Sequence, residues 1–288
     1  MLKHRLISGL SLAFALIAAI LWAPWYVLVG VLWLMMVASQ REFVGLMVPD
    51  GLPGGVRRLT LGLGVVLLAA LFVDTRPGET SALTLWVLVG GLWALLLWTM
   101  ASKRDTAVRE CAGLVLSLLY VPLCMGLLTH VVWGGYGMDV VAWPEVPLAA
   151  RVRVLYLLWV VKVSDVGAYA FGMTLGRHRM CPRLSPAKTW EGFAGGLIGG
   201  MLASLIAVRL GAPFEVLTYS PLHAVGLGLV LAVVGVAGDL SESMFKRAAG
   251  VKDSGQGFPG MGGILDMVDS VLPAAPAMLL YMRLTGAA

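Results

Sequence analysis

The chain has 288 residues, of which 59% are hydrophobic and only 13% charged, with a mean hydropathy of +0.88 and a net charge of +5. So apolar a sequence cannot be wrapped around a water-soluble core, which excludes a soluble globular protein and makes an all-α integral membrane protein the expected fold class. No soluble basic domain accompanies the positive balance, so the charge is read as a signal of membrane orientation, and nucleic acid is excluded as a partner.

A helix needs about 20 mainly apolar residues to cross ~30 Å of hydrocarbon. Windows of this kind fall at 6–22, 25–40, 59–73, 82–100, 111–133, 150–171, 193–210, 222–238 and 264–283, which predicts about nine transmembrane helices. The first, behind Lys3, His4 and Arg5, has the outline of a secretory signal. No convincing small-x-small cleavage site precedes Trp22, and it is read as an uncleaved span. Nine spans starting inside place 41–58, 101–110, 172–192 and 239–263 in the cytoplasm. Together with the N-terminus, these segments hold most of the 21 basic residues, as the retention of Lys and Arg on the cytoplasmic side requires. The motif-bearing segments then lie where nucleotides are found. Cys111, Cys124 and Cys181 are scattered and have neither disulfide-framework nor zinc-ligand spacing.

Residues 1–149 carry few polar side chains inside spans and read as an N-terminal transmembrane scaffold, whereas 150–288 read as the catalytic region. Long linkers, low-complexity segments and short repeats are absent. The first polar island is Ser164-Asp165-Val166-Gly167-Ala168-Tyr169, where Asp165 lies within a span. Either it faces a cavity or Lys162, one turn away, neutralises it. Next come Ser185-Pro186-Ala187-Lys188-Thr189-Trp190-Glu191-Gly192. Ser185-Pro186 has the look of an N-cap followed by proline at the first helical position, which puts Lys188 in a first turn against the helix dipole. A bound phosphate resolves that conflict; a plain positive-inside anchor is the alternative.

The densest island runs from Gly238 to Ser270 and holds Asp239, Glu242, Asp253, Asp266 and Asp269 beside Lys246, Arg247 and Lys252. Asp239 ends the eighth span and needs a counter-ion. Asp266 and Asp269, three apart, share a helix face, where their repulsion calls for a cation; as helix N-terminal carboxylates they are also favoured by the dipole alone. Adding Asp239 and the basic residues points to a Mg²⁺ site of aspartate oxygens. Gly250, Gly255, Gly257, Gly260, Gly262 and Gly263 let backbone amides approach a polyanion. Gly255 to Gly260 spell G-x-G-x-x-G, but no strand precedes them and a dinucleotide fold is not implied.

These residues resemble the signature of the phosphatidate cytidylyltransferases, or CDP-diacylglycerol synthases. The matching positions are Ser243, Lys246-Arg247, Lys252-Asp253, Pro259-Gly260-Met261-Gly262-Gly263 and Asp266-Met267-Val268-Asp269, with Gly238-Asp239-Leu240 and the 165–169 and 185–192 motifs upstream. The likeness is specific over roughly 160–275. It departs at Met261, where the family usually has histidine, and at Met267, where it usually has arginine. The resemblance implies transfer of a cytidylyl group from CTP to phosphatidic acid in the bilayer of a bacterial inner membrane, one or two divalent cations (Mg²⁺, with Mn²⁺ as an alternative), and a homodimer. It implies Asp239, Asp266 and Asp269 as metal ligands, with Lys246 on phosphate. Arg247, Lys252, Asp253 and Ser243 fall at the nucleotide end, and Ser185 with Lys188 near the lipid headgroup or triphosphate. Two rivals stand: a CTP-dependent polyprenol or dolichol kinase, and a non-enzymatic transporter of an anionic solute.

Overall fold

The computed structural model describes residues 14–48, 52–75, 82–133, 146, 148–209, 220–255 and 262–285. The chain is an all-α membrane protein. Helix α1 is described over 14–22 and is followed, after Pro24, by α2 (Trp25–Met47), α3 (Gly54–Val73) and α4 (Leu83–Ala101). Then come α5 (Ala107–Leu118), a π-helical turn (Leu119–Leu123) containing Pro122, and α6 (Cys124–Trp133), which together run as one rod. The second half comprises α7 (Leu148–Leu175), a hairpin of β1 (Arg179–Cys181) and β2 (Ser185–Thr189), α8 (Trp190–Arg209), α9 (Pro221–Ala248), α10 (Ile264–Val268) and α11 (Ala274–Thr285).

Among the described residues, seven helices are long and apolar enough to cross a bilayer: α2, α3, α4, the α5–α6 rod, α7, α8 and α9. Each contains one of the windows expected from the sequence, or overlaps it closely. The first window is described only from residue 14, and the last is interrupted. Between α10 and α11 the chain turns at 269–273, because Pro273 has no N–H to donate and its ring crowds the preceding turn.

Two further local expectations are corrected. Ser185 is not an N-cap, and Lys188 is not in a first helical turn: residues 185–189 form a strand, with Arg179 opposite Thr189 and Cys181 opposite Ser185. Thr189 is the residue that caps α8, its Oγ1 accepting the Gly192 N–H at 3.1 Å. The hairpin is held at its base by Glu191, which accepts the Arg177 and His178 amides at 3.1 and 3.2 Å and pairs with His178 Nδ1 at 2.6 Å. The second correction concerns 239–248, expected as loop, which continues α9 to Ala248. No glycine or proline interrupts it until Gly250, whose φ of +72° ends the helix with Gly250 N–H on Arg247 O and Val251 N–H on Lys246 O.

Lipid tails are as apolar as leucine, so these helices are joined by close backbone approach and by hydrogen bonds. Helices α7 and α8 pack through glycines: a β-carbon on Gly167 would lie 2.7 Å from the Gly195 carbonyl oxygen. Ser164 Oγ donates to Gly196 O at 2.9 Å, and Trp159 Nε1 to Ala203 O at 3.1 Å. Tyr156 OH meets Ser204 Oγ at 2.5 Å, and Ser204 donates on to Ala224 O, so α7, α8 and α9 share one buried polar chain. The surrounding core includes Val160, Leu227, Leu231, Ala274 and Met278. A second core joins Met36 and Phe43 of α2, Leu68 of α3, Val121 and Met125 to Leu265, Val268 and Leu272. The first half of the chain therefore packs directly behind the segment bearing Asp266 and Asp269.

Gly167→Val is expected to lower stability by roughly 1–3 kcal/mol through forced separation of α7 and α8. Gly30→Ala, at a site with no atom within 4 Å of the added carbon, is expected to leave it unchanged or raised. Thermal unfolding of the two variants in detergent measures the difference.

Candidate active site

A cavity of about 690 Å³, within the range that holds small molecules, opens between the adjoining ends of α7, α8, α9 and α10 and the β-hairpin. Five carboxylates line it, Asp165, Asp239, Glu242, Asp266 and Asp269, together with four cations, Lys162, Arg179, Lys188 and Lys246. Tyr169, Met173, Phe193 and Val236 form apolar parts of its wall, and Tyr169 and Met173 are both well exposed on the outer surface of the protein.

Helix α9 supplies the floor by its spacing. Asp239, Glu242 and Lys246 lie at i, i+3 and i+7 and so share a face. Lys246 Nζ sits 2.7 Å from Glu242 Oε2 and 2.6 Å from Asp266 Oδ1, bridging α9 to α10. Glu242 is 1% exposed, and its Oε1 has no hydrogen-bond partner. Asp266 Oδ2 accepts the Gly263 amide at 2.7 Å, the Ser254 amide at 3.1 Å and the Ser254 hydroxyl at 2.9 Å, which brings Ser254 and Gly263 together on one oxygen. Asp269 is buried, and its Oδ1 accepts the Ser270 amide at 2.6 Å and hydroxyl at 3.1 Å. Gly238 makes room for this turn: a β-carbon there would collide with the Asp269 carbonyl oxygen and lie 2.8 Å from Pro273.

On the opposite wall Lys188 Nζ lies 2.8 Å from Asp239 Oδ2, joining β2 to α9. The contact has the distance of an ion pair but not the angles of a hydrogen bond, so the buried ammonium keeps its donors undirected. Asp239 Oδ1 accepts from Ser243 Oγ at 3.4 Å. Lys162 and Asp165 pair at 3.3 Å and both line the cavity, so the two readings of Asp165 hold together.

The structure thus gathers Asp239, Lys246, Asp266, Asp269 and Lys188 into one pocket and places Ser243 against Asp239. Four other candidates stand apart from the lining. Ser185 begins β2. Arg247, exposed, donates to Leu184 O and Val251 O at 3.3 Å each and so ties the hairpin turn to the end of α9. Lys252 and Asp253 are exposed on the loop beyond α9. Met267 packs against the second core, and Met261 lies outside the described residues.

Sequence reasoning missed Glu242, although its place one turn before Lys246 is the usual signal of an i,i+4 pair. It also missed Tyr120, whose buried hydroxyl has no hydrogen-bond partner and whose ring packs on Phe43 and Phe245. Only the irregular turn around Pro122 marks that position, and it has no local sequence link to the pocket.

Among the described residues no three His, Cys, Asp or Glu side chains stand as a ready metal-ligand cluster, and lysines pair with Asp239 and Asp266. The donor set is nevertheless all carboxylate oxygen, the chemistry a hard divalent cation prefers, and the buried Glu242 Oε1 beside it has no hydrogen-bond partner.

The model of the cytidylyltransferase family matches residues 3–285. Phosphatidate cytidylyltransferase of Mycobacterium bovis is 30% identical over 292 residues, covering 98% of this chain and 89% of that protein. The protein of the same name from Haemophilus influenzae is 30% identical over 286 residues, covering 96% of each. That of Staphylococcus haemolyticus is 33% identical over 226 residues, covering 76% of this chain and 80% of its own length.

Removing one partner of a buried ion pair leaves the others uncompensated, at a cost of roughly 3–5 kcal/mol. Lys246→Met is therefore expected to lower the thermal midpoint sharply, and adding Glu242→Gln to recover part of the loss. Unfolding of the single and double variants checks the pairing.

Proposed function

The chain belongs to the cytidylyltransferase family and transfers a cytidylyl group from CTP to phosphatidic acid, giving CDP-diacylglycerol and pyrophosphate; we propose that the pocket between α7, α8, α9 and α10 is where it does so. The observation that carries this assignment is the convergence of Lys188 and Lys246 with Asp239, Asp266 and Asp269 in one cavity that also has an apolar flank. A triphosphate needs the cations, and a lipid substrate needs the flank.

In the reaction a phosphate oxygen of phosphatidate forms a bond to the α-phosphorus of CTP. The bond from that phosphorus to its bridging oxygen breaks, and pyrophosphate departs with the electron pair. Both reactants are anions, so catalysis rests on holding them in line and on neutralising charge. No covalent enzyme nucleophile is required, since phosphatidate is itself the nucleophile. Mg²⁺, or Mn²⁺ in its place, held by Asp239 and Asp266 with Asp269 as a further ligand, would neutralise the reacting phosphates and the leaving group when bound.

The remaining work falls to side chains of the protein. Lys246, anchored between Glu242 and Asp266, presents a fixed positive charge to the polyphosphate. Lys188, whose ammonium is near Asp239 without directed hydrogen bonds, is poised to give its donors to a phosphate oxygen. Arg179 and Lys162 extend the positive lining toward the lipid side, where Tyr169, Met173 and Phe193 take the upper part of the acyl chains. Arg247 holds the hairpin against α9 and so keeps Lys188 facing Asp239. The distribution of basic residues supports placing the N-terminus and the pocket on the cytoplasmic face, and the bacterial relatives support the inner membrane as its location.

Purified protein given CTP, phosphatidate and Mg²⁺ is expected to release pyrophosphate and form CDP-diacylglycerol in equal amounts. Release of CDP instead would identify a lipid kinase, and no CTP turnover with solute flux a transporter. Asp266→Asn, still folded, is expected to lose on the order of 100-fold in turnover, the scale of a lost charge-stabilising group. Lys188→Ala is expected to raise KM for at least one substrate; unchanged constants for both would return that lysine to a role in topology.

A further inference from the structure

Resting on the reading of Asp266 and Lys246 as site residues, we propose that Glu42 of α2 is a positioning residue for this reaction: its carboxylate holds Ser254 to the Ile264 and Leu265 amides and fixes where Asp266 meets Lys246. Glu42 comes from the half of the chain that sequence analysis assigned to scaffold, and no motif includes it.

The contacts are specific. Glu42 Oε1 accepts the Ile264 amide at 3.1 Å, while Oε2 accepts the Leu265 amide at 2.9 Å and the Ser254 hydroxyl at 3.1 Å. The same Ser254 hydroxyl lies 2.9 Å from Asp266 Oδ2, so its single proton is shared between two carboxylates. The amides at the start of a helix have no partner within it. Here Gly263 N–H goes to Asp266, and the next two go to Glu42. Two carboxylates from distant parts of the sequence therefore bracket one short stretch, Asp266 from within it and Glu42 from outside.

Steric evidence agrees. A β-carbon on Gly255 would lie 2.6 Å from Glu42 Oε1, and one on Gly263 would collide with both Glu42 and Ser254. A side chain at either position would therefore displace the Glu42 carboxylate from these contacts. The carboxylate also has no basic partner among the described ion pairs, so its charge is met by these N–H and O–H donors. It sits on a rigid base: the next residue, Phe43, packs against Tyr120 and Phe245 at centroid distances of 5.0 and 4.9 Å. Phe245 directly precedes Lys246. The clasp and the lysine it serves are held by one aromatic cluster.

Shortening or removing Glu42 should loosen the hold on Ser254, Ile264 and Leu265 without dismantling the bundle. The test uses the full-length protein in detergent with Glu42→Ala, Glu42→Asp and Glu42→Gln, followed by amide hydrogen exchange, CTP kinetics and thermal unfolding. Glu42→Ala is expected to speed exchange in peptides covering 262–268 at least tenfold while leaving those of α7 and α8 unchanged. In the folded fraction, KM for CTP should rise at least tenfold, with KM for phosphatidate within twofold of wild type. Glu42→Asp should resemble the alanine variant because its carboxylate falls one methylene short. Glu42→Gln keeps one carbonyl acceptor and should recover part of the loss. Unchanged exchange at 262–268, in Glu42→Ala or in Glu42→Gln if alanine fails to fold, would overturn the proposal. So would a fall in unfolding temperature with KM for CTP unaltered. Wild-type protein that produced CDP instead of pyrophosphate would overturn the reading of the reaction, whereas the exchange result would still judge the clasp.

Discussion

The ammonium of Lys246, lodged between Glu242 and Asp266, is the contact around which the active region is arranged. An unpaired carboxylate as buried as Glu242 is costly, and a lone lysine at the same depth is no better. Brought together they fix α9 against α10. Asp266 gives one oxygen to Lys246 and the other to the Ser254 and Gly263 amides. Asp239, two turns earlier on the same helix face, is directed at Lys188 on the hairpin. A polar constellation in an apolar protein thus holds its shape through mutual neutralisation, and under the proposed function the same lysines meet the phosphates.

The membrane explains why the surrounding architecture is built as it is. Hydrophobic burial gives little preference for one helix pairing over another in lipid, so specificity falls to glycine contacts and buried hydroxyls. The α7–α8 glycine interface and the Tyr156–Ser204 link lie on the side of the bundle that carries Lys162, Asp165 and the hairpin. On the other side, α2 and the π-helical turn bring Phe43 and Tyr120 behind Phe245. The pocket is wedged between these two supports, near the ends of the helices that line it.

Much of this was legible in the residues. Composition alone gave the membrane class, and apolar windows found the spanning helices because hydrocarbon thickness sets their length. The carboxylates and lysines of 238–270 stood out because charge is rare in such a chain. What local reasoning could not supply was tertiary. Ser185-Pro186 carried a helix-start signal, yet pairing with Arg179–Cys181 and the cap from Thr189 moved the start of α8 to Trp190. Charged residues 239–248 looked like loop, but an i,i+4 pair and a buried face keep them helical. Tyr120 and Glu42 have no sequence neighbour that announces them. Their importance arises only when a distant segment folds against them.

The central claim is that CTP binds in the pocket where Lys188 and Lys246 meet Asp239, Asp266 and Asp269. A structure of the protein in lipid with Mg²⁺ and a non-reactive CTP analogue tests this most directly. The account predicts the triphosphate within hydrogen-bond reach of Lys188 and Lys246, with cation density between it and the aspartates. Nucleotide bound elsewhere, with the Lys188–Asp239 and Lys246–Asp266 pairs undisturbed and the pocket filled by solvent, would contradict it.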